Sequence, residues 1–264
     1  MKTITSKVIS AVLTGALALG MAGCSQPAST ETADNGLKTV ESGKLIMATS
    51  ADFPPYEYYD GDQVVGIDAE IAKAVADKLG LELVIEDTKF DSIIVGVQSG
   101  KYDIGCAGMT VTEERLQSVN FTSTYATGIQ SVIVPEGSEI TDVDTLLDGD
   151  YIVGVQIGTT GDIYMTDDVG EDRIDRYQKG TDAIIALTSG KVDAVVIDNE
   201  PAKAFVAANE GLVILDTAYA EEEYAMCLSK DNEDLLNAIN GALDELEKDG
   251  TLDAIVAKYI PAEG

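Results

Sequence analysis

The stretch Asp68–Ala107, DAEIAKAVADKLGLELVIEDTKFDSIIVGVQSGKYDIGCA, sets the fold class. Ile71, Ala74, Val75 and Leu79 fall on one face of a helical repeat that Gly80 stops, so residues 68–79 read as a helix. Leu81–Glu86 reads as a strand. Asp91–Gln98 is helical, with Ile93, Ile94 and Val97 apolar and Gly100 beyond its end, and Tyr102–Ala107 is a strand again. Strand and helix alternating in this way predict βαβ units and a parallel sheet. Upstream, Leu45–Thr49 supplies a first strand. Downstream, the rhythm restarts after Val119–Thr122. Strands are expected at Gln130–Val134, Tyr151–Gln156, Arg173–Gln178, Asp193–Ile197 and Leu212–Leu215, with helices at Thr181–Thr188 and Glu200–Asn209. A last strand, Tyr224–Leu228, leads into helices Glu233–Lys248 and Leu252–Tyr259. Two α/β sets in one chain predict an α/β protein of two lobes, with ligands at the carboxyl ends of the strands.

Composition narrows the function. The 264 residues carry 17 Lys plus Arg against 47 Asp plus Glu, a formal charge of −30, and no histidine. A surface that acidic repels phosphate backbones, so no nucleic-acid partner is expected. Without histidine there is no Ser-His-Asp or Cys-His catalysis and no imidazole metal site. Neither a metal nor a cofactor is expected.

The N-terminus reads as an address. Lys2 and Lys7 precede an apolar run, Val8–Ala22, too short for a membrane span and laid out like a secretory signal. The run ends in Met21-Ala22-Gly23-Cys24, which resembles a bacterial lipobox. That resemblance implies a signal peptide over residues 1–23 and a lipidated Cys24 as the mature N-terminus, on the outer side of the cell membrane. Residues 24–41, rich in Ser, Thr and Ala, read as a flexible tether. Cys106 and Cys227 both sit in apolar strand-like runs. Buried free thiols and a disulfide are both compatible with that placement.

The segment Ala48-Thr49-Ser50-Ala51-Asp52-Phe53-Pro54-Pro55-Tyr56-Glu57-Tyr58, followed by Val65-Gly66-Ile67-Asp68, resembles the opening of the family 3 solute-binding proteins. Three further blocks agree in order and spacing: DIGCAGMTVTEER (Asp103–Arg115), VGVQIGTTG (Val153–Gly161) and DAVVIDNEP (Asp193–Pro201). The likeness spans residues 44–260. It implies the type II periplasmic-binding-protein fold. A discontinuous first lobe (42–125 and 225–264) and a second lobe (128–222) would be joined by two crossing strands, which make a hinge. It also implies a function: capture of a free polar or basic amino acid for an ABC importer, with a permease and an ATPase as partners and no chemistry on the ligand. A monomer is expected.

A free α-amino acid carries a carboxylate and an ammonium, and burying either costs several kcal/mol unless an opposite charge meets it. Arg115, in the first turn of a short helix capped by Thr112, is the candidate clamp for the carboxylate. The competing reading pairs it with Glu113 or Glu114 at the surface. Asp198 ends an apolar strand and is the candidate acceptor for the ammonium, or else a helix N-cap. The resemblance adds Phe53 and Phe90 as aromatic walls against the ligand side chain, where core packing is the alternative. It adds Gly108 and Thr110 as backbone and hydroxyl donors, and Gln156, Thr159 and Thr160 as contacts from the second lobe, where ordinary capping competes. Ser50 stands where relatives that bind lysine or arginine often carry an acid, and Asp52 could replace it by pointing inward. Basic, polar neutral and sulfur-containing amino acids all stay open.

Asp142-Val143-Asp144 resembles a calcium-loop start but lacks the glycine and the closing acid. Two rival functions stand beside import: a sensor or adhesin built on the same fold, and a dehydratase using a carboxyl as general acid.

Overall fold

The structure, a computed structural model, describes residues 36–260. The signal segment, Cys24 and most of the tether lie outside the described residues.

The chain opens with strand β1 (Lys44–Thr49) and a small antiparallel sheet of β2 (Asp52–Phe53), β3 (Glu57–Asp60) and β4 (Gln63–Val65). Helix α1 (Ile67–Leu79), β5 (Glu82–Asp87), α2 (Phe90–Gln98), β6 (Ile104–Gly105), α3 (Glu113–Leu116) and β7 (Asn120–Phe121) follow. The ten-residue β8 (Ala126–Pro135) then carries the chain into α4 (Val143–Asp148), β9 (Val153–Gln156), α5 (Thr160–Val169), β10 (Ile174–Tyr177), α6 (Gly180–Thr188), β11 (Ala194–Asp198), α7 (Asn199–Ala208), β12 (Leu212–Ile214) and β13 (Ala220–Tyr224). The chain finishes with β14 (Cys227–Leu228), α8 (Glu233–Lys248) and α9 (Thr251–Tyr259).

The strands form two main sheets, in the orders β5-β1-β6-β14-β7 and β10-β9-β11-β8-β12, with β13 also paired to β8. β1, β5 and β6 are parallel, as are β9, β10 and β11. The two-lobed α/β fold expected from the alternating pattern is therefore present.

Apolar periodicity explains the packing. Ile67, Ile71, Ala72, Val75 and Ala76 bury one face of α1, and Leu235, Ile239, Ala242, Leu243 and Leu246 bury one face of α8. At ~1.5–3 kcal/mol for each large aliphatic side chain, such faces dominate the helices' stability. Gly80 closes α1 in the left-handed conformation, φ 68°.

Three departures from the sequence reading matter. The single strand expected at Tyr224–Leu228 is two: β13 pairs with β8 in one sheet, and β14 with β6 and β7 in the other. The break at Ala225-Met226 is where the chain changes sheets, which an unbroken apolar run does not reveal. The hairpin sheet at Asp52–Val65 and helix α4 carried too few apolar residues to announce themselves. The calcium-like triplet is the cap of α4, with Asp142 Oδ1 accepting from Thr145 N at 2.8 Å.

The two cysteines among the described residues, Cys106 and Cys227, are free and buried. Cys106 Sγ lies against Tyr125 Oη (3.6 Å) and the Asp68 carbonyl, whereas Cys227 pairs in register with Gly105 and packs among a different set of core residues.

Candidate functional site

The carboxyl ends of β1, β6, β9 and β11 converge on one cavity between the two sheets. About 440 Å³ there is free of atoms, counting the open mouth. Ten of the eleven predicted contact residues line it: Ser50, Phe53, Phe90, Gly108, Thr110, Arg115, Gln156, Thr159, Thr160 and Asp198.

Asp52 does not line the cavity. It turns aside, its Oδ1 accepting from Ser50 Oγ (3.1 Å) while its Oδ2 has no hydrogen-bond partner. It is therefore not a replacement acid inside the cavity. Burial raises its carboxyl above the usual carboxylate range.

Arg115 is 7% exposed, and no carboxylate among the described residues lies within ion-pair distance of it. Its Nη1 donates to the Thr110 carbonyl (2.8 Å) and its Nη2 to the Gly158 carbonyl (3.1 Å), which belongs to the turn after β9. Phe90 stacks on its guanidinium, 5.4 Å from ring centroid to Cζ. Thus Phe90 braces the clamp as well as facing the cavity. Burial pushes the Arg115 pKa down, opposed first by the nearby Glu222 carboxylate. The surface pairing with Glu113 or Glu114 is absent. A buried, half-satisfied guanidinium facing a cavity is a binding site for an anion. Across from it, Thr159 caps α5 by accepting from Asp162 N (3.3 Å), and Thr159 and Thr160 at the start of this ten-residue helix line the same cavity.

Asp198 occupies the N-cap position of α7, yet its side chain makes no capping bond. Its Oδ2 accepts from Gln130 Nε2 at 2.7 Å, and its Oδ1 has no partner. Burial, then repulsion from Glu222, raises its carboxyl well above the usual range. Such a group ionises readily only when a cation arrives.

The Gly108 N–H and the Thr110 hydroxyl, the donors that the resemblance implied, are engaged within the protein. The Gly108 N–H already donates to Asp68 Oδ2 (2.7 Å), and Thr110 Oγ1 donates to Glu222 Oε2 (3.1 Å). Gly108 sits at φ +51°, and a Cβ there would come within 2.7 Å of Phe53 Cε1. Only glycine fits.

Glu57 and Gln130 also line the cavity and were missed by the sequence reading. Glu57 is 1% exposed, and no donor from another residue reaches either of its oxygens. The Asp68 carboxyl is its main charged neighbour. Burial, then Asp68, pushes its pKa well above the carboxylate range. The acid stands inside the quoted Tyr56-Glu57-Tyr58 segment, where only alternation along β3 could have turned it inward. Gln130 is the register partner of Asp198 in the antiparallel β8–β11 pair, a relationship that needs the topology.

Two carboxyls, one guanidinium and an aromatic wall between two lobes define a solute-binding protein that encloses a small charged ligand. The chain belongs to the bacterial extracellular solute-binding proteins, family 3, whose sequence model matches residues 45–262. It is 34% identical over 235 residues to the arginine-binding extracellular protein ArtP of Bacillus subtilis, covering 84% of this chain and 89% of that protein. It is 30% identical over 240 residues to the L-cystine-binding protein TcyJ of Escherichia coli, covering 88% of each. A crystal structure of a mutant of ArgBP from T. maritima superposes with a TM-score of 0.77 at 40% identity, covering 82% of this chain and 95% of that one. Membership of this family places the protein outside the cytoplasm.

Proposed function

We propose that this chain is the lipid-anchored, monomeric substrate-binding component of an ABC importer, and that it takes an α-amino acid with a cationic side chain without altering it. The relatives include binders of arginine and of cystine, so kinship alone leaves the side-chain class open. The observation that carries the reading is Glu57. Arg115 and Asp198 suffice for the carboxylate and ammonium of any amino acid, and Glu57 is a further buried carboxyl on the same cavity with no donor of its own. An apolar side chain would leave it so and a neutral amide would offer it a hydrogen bond alone, whereas a guanidinium or ammonium brings both donors and the opposite charge.

In the proposed mechanism Arg115 and the N-terminus of α5 hold the carboxylate, Asp198 the ammonium, and Phe53 flanks the stem. Lobes formed by 42–125 with 225–264, and by 128–222, close about the crossing strands. A ligand touching both lobes favours the closed form by the contacts it gains there. Cys24 would carry the lipid that keeps the protein beside its permease.

Titration calorimetry with L-arginine, L-lysine, L-glutamine and L-cystine tests the assignment. The expected preference for the cationic pair is at least about tenfold, ~1.4 kcal/mol, and Glu57→Gln removes it. Tighter binding of a neutral amino acid, or an unchanged preference in Glu57→Gln, would overturn it.

A further inference from the structure

Glu222 lies behind the cavity wall rather than on it. It sits in the middle of β13, one of the strands that cross between the sheets, and is 6% exposed. Its Oε2 accepts from Thr110 Oγ1 (3.1 Å) and Gln130 Nε2 (3.0 Å), and its Oε1 has no partner. The backbone holds this arrangement on both sides of Thr110: Val111 N donates to the Glu223 carbonyl and Ala225 N to the Met109 carbonyl, each at 3.1 Å. Thr110 and Glu222 therefore stay together when the lobes move.

A hydroxyl has one proton and two lone pairs. Thr160 Oγ1 lies 3.4 Å from the same hydroxyl, so with its proton engaged by Glu222, Thr110 takes Thr160 as a donor and keeps one lone pair for the cavity. An ammonium has three protons and can serve Asp198 and Thr110 together. A ligand with a hydroxyl in that place has one proton: given to Asp198 it leaves Thr110 unpaired, and given to Thr110 it leaves Asp198 without the cation that ionises it.

We propose that Glu222 is a positioning residue: it fixes the Thr110 hydroxyl as an acceptor, so that the site selects ligands bearing an α-ammonium over their α-hydroxy counterparts. The inference rests on the reading that this cavity takes an α-amino acid.

The test measures, by titration calorimetry, the affinities for L-arginine and L-glutamine and for the α-hydroxy acid matching each. The proteins are the wild type, Glu222→Leu, Glu222→Gln, Thr110→Val, and Thr110→Val combined with Glu222→Leu, each checked for folding by thermal unfolding without ligand. Glu222→Leu is expected to reduce the amino-to-hydroxy preference about tenfold, because the freed hydroxyl can turn and donate. Glu222→Gln retains an acceptor for Thr110 and keeps the preference within about threefold. In the Thr110→Val background, Glu222→Leu causes no further loss, since the two residues act as one unit. Equal weakening of both members of a pair, a Gln variant as damaging as Leu, additive losses, or a wild type without the preference would each overturn the proposal. A wild type that binds L-glutamine more tightly than L-arginine instead contradicts the cationic reading, and Glu222 is then judged on the glutamine pair.

Discussion

Gln130 Nε2 lies 2.7 Å from Asp198 Oδ2 and 3.0 Å from Glu222 Oε2, one amide group held between two carboxyl groups. Without it, Asp198 would keep the repulsion of Glu222 and lose its one side-chain donor. Replacement by an apolar residue of similar length, Gln130→Met, is therefore expected to weaken amino-acid binding about tenfold, in the ~1–3 kcal/mol range for a buried group left unsatisfied. Calorimetric titration of the variant checks this, and undiminished affinity would show that Asp198 needs no such support.

Arg115 is expected to matter for the ligand and little for the fold. Its burial is a cost in the ligand-free protein, compensated by two carbonyls and an aromatic face rather than by an ion pair. Arg115→Ala should abolish the ligand-induced rise in unfolding temperature while leaving the ligand-free Tm unchanged or higher. Arg115→Lys should not rescue binding, because a point charge does not reproduce the planar fork. A ligand-free Tm that drops by many degrees would assign the residue to stability instead.

Gly128 sits where the two crossing strands pair, and a Cβ there would come within 2.1 Å of Tyr224 Oη and 2.6 Å of Asp198 Oδ1. Gly128→Ala should displace Asp198 from the cavity wall and lower affinity more than it lowers thermal stability. Parallel Tm and calorimetric measurements decide between those two effects.

The ligand-free protein should grow more stable as pH falls from 8 to 5. Asp52, Glu57, Asp68 and Asp198 all have carboxyls raised by burial, so the folded state holds protons that the unfolded chain releases. Their contribution is fully present below the unfolded values near 4 and is lost as pH rises through the folded ones. Loss of stability on acidification between 8 and 5, followed by thermal unfolding in the absence of amino acids, would contradict this.

Cation binding adds a linked proton. Burial, then the Asp68 carboxyl, raises the Glu57 carboxyl well above the usual range, and a positive side chain reaching it favours loss of its proton. L-Arginine should release protons on binding at mildly acidic pH, read as a dependence of the calorimetric enthalpy on buffer ionisation heat, and Glu57→Gln should reduce that release.

Much of this arrangement was legible in the residues. Arg115 beside a Thr112 cap, Asp198 at the end of an apolar strand and Thr159 at a helix start are local patterns, and the structure brings all three to one cavity. Gln130 and Glu222 were not legible because their meaning lies in pairing: Gln130 meets Asp198 across β8 and β11, and Glu222 meets Thr110 across the crossing strand. Thr110 shows the limit most clearly. Its place was readable from the motif, but the direction of its hydroxyl depends on a carboxylate 112 positions away in the chain.

A crystal structure grown with L-arginine tests the central claim most directly. The ligand carboxylate should lie on the Arg115 guanidinium, the α-ammonium between Asp198 and Thr110, and the guanidinium within hydrogen-bond distance of Glu57. A ligand whose side chain runs out of the cleft, leaving Glu57 still without a donor, would contradict it.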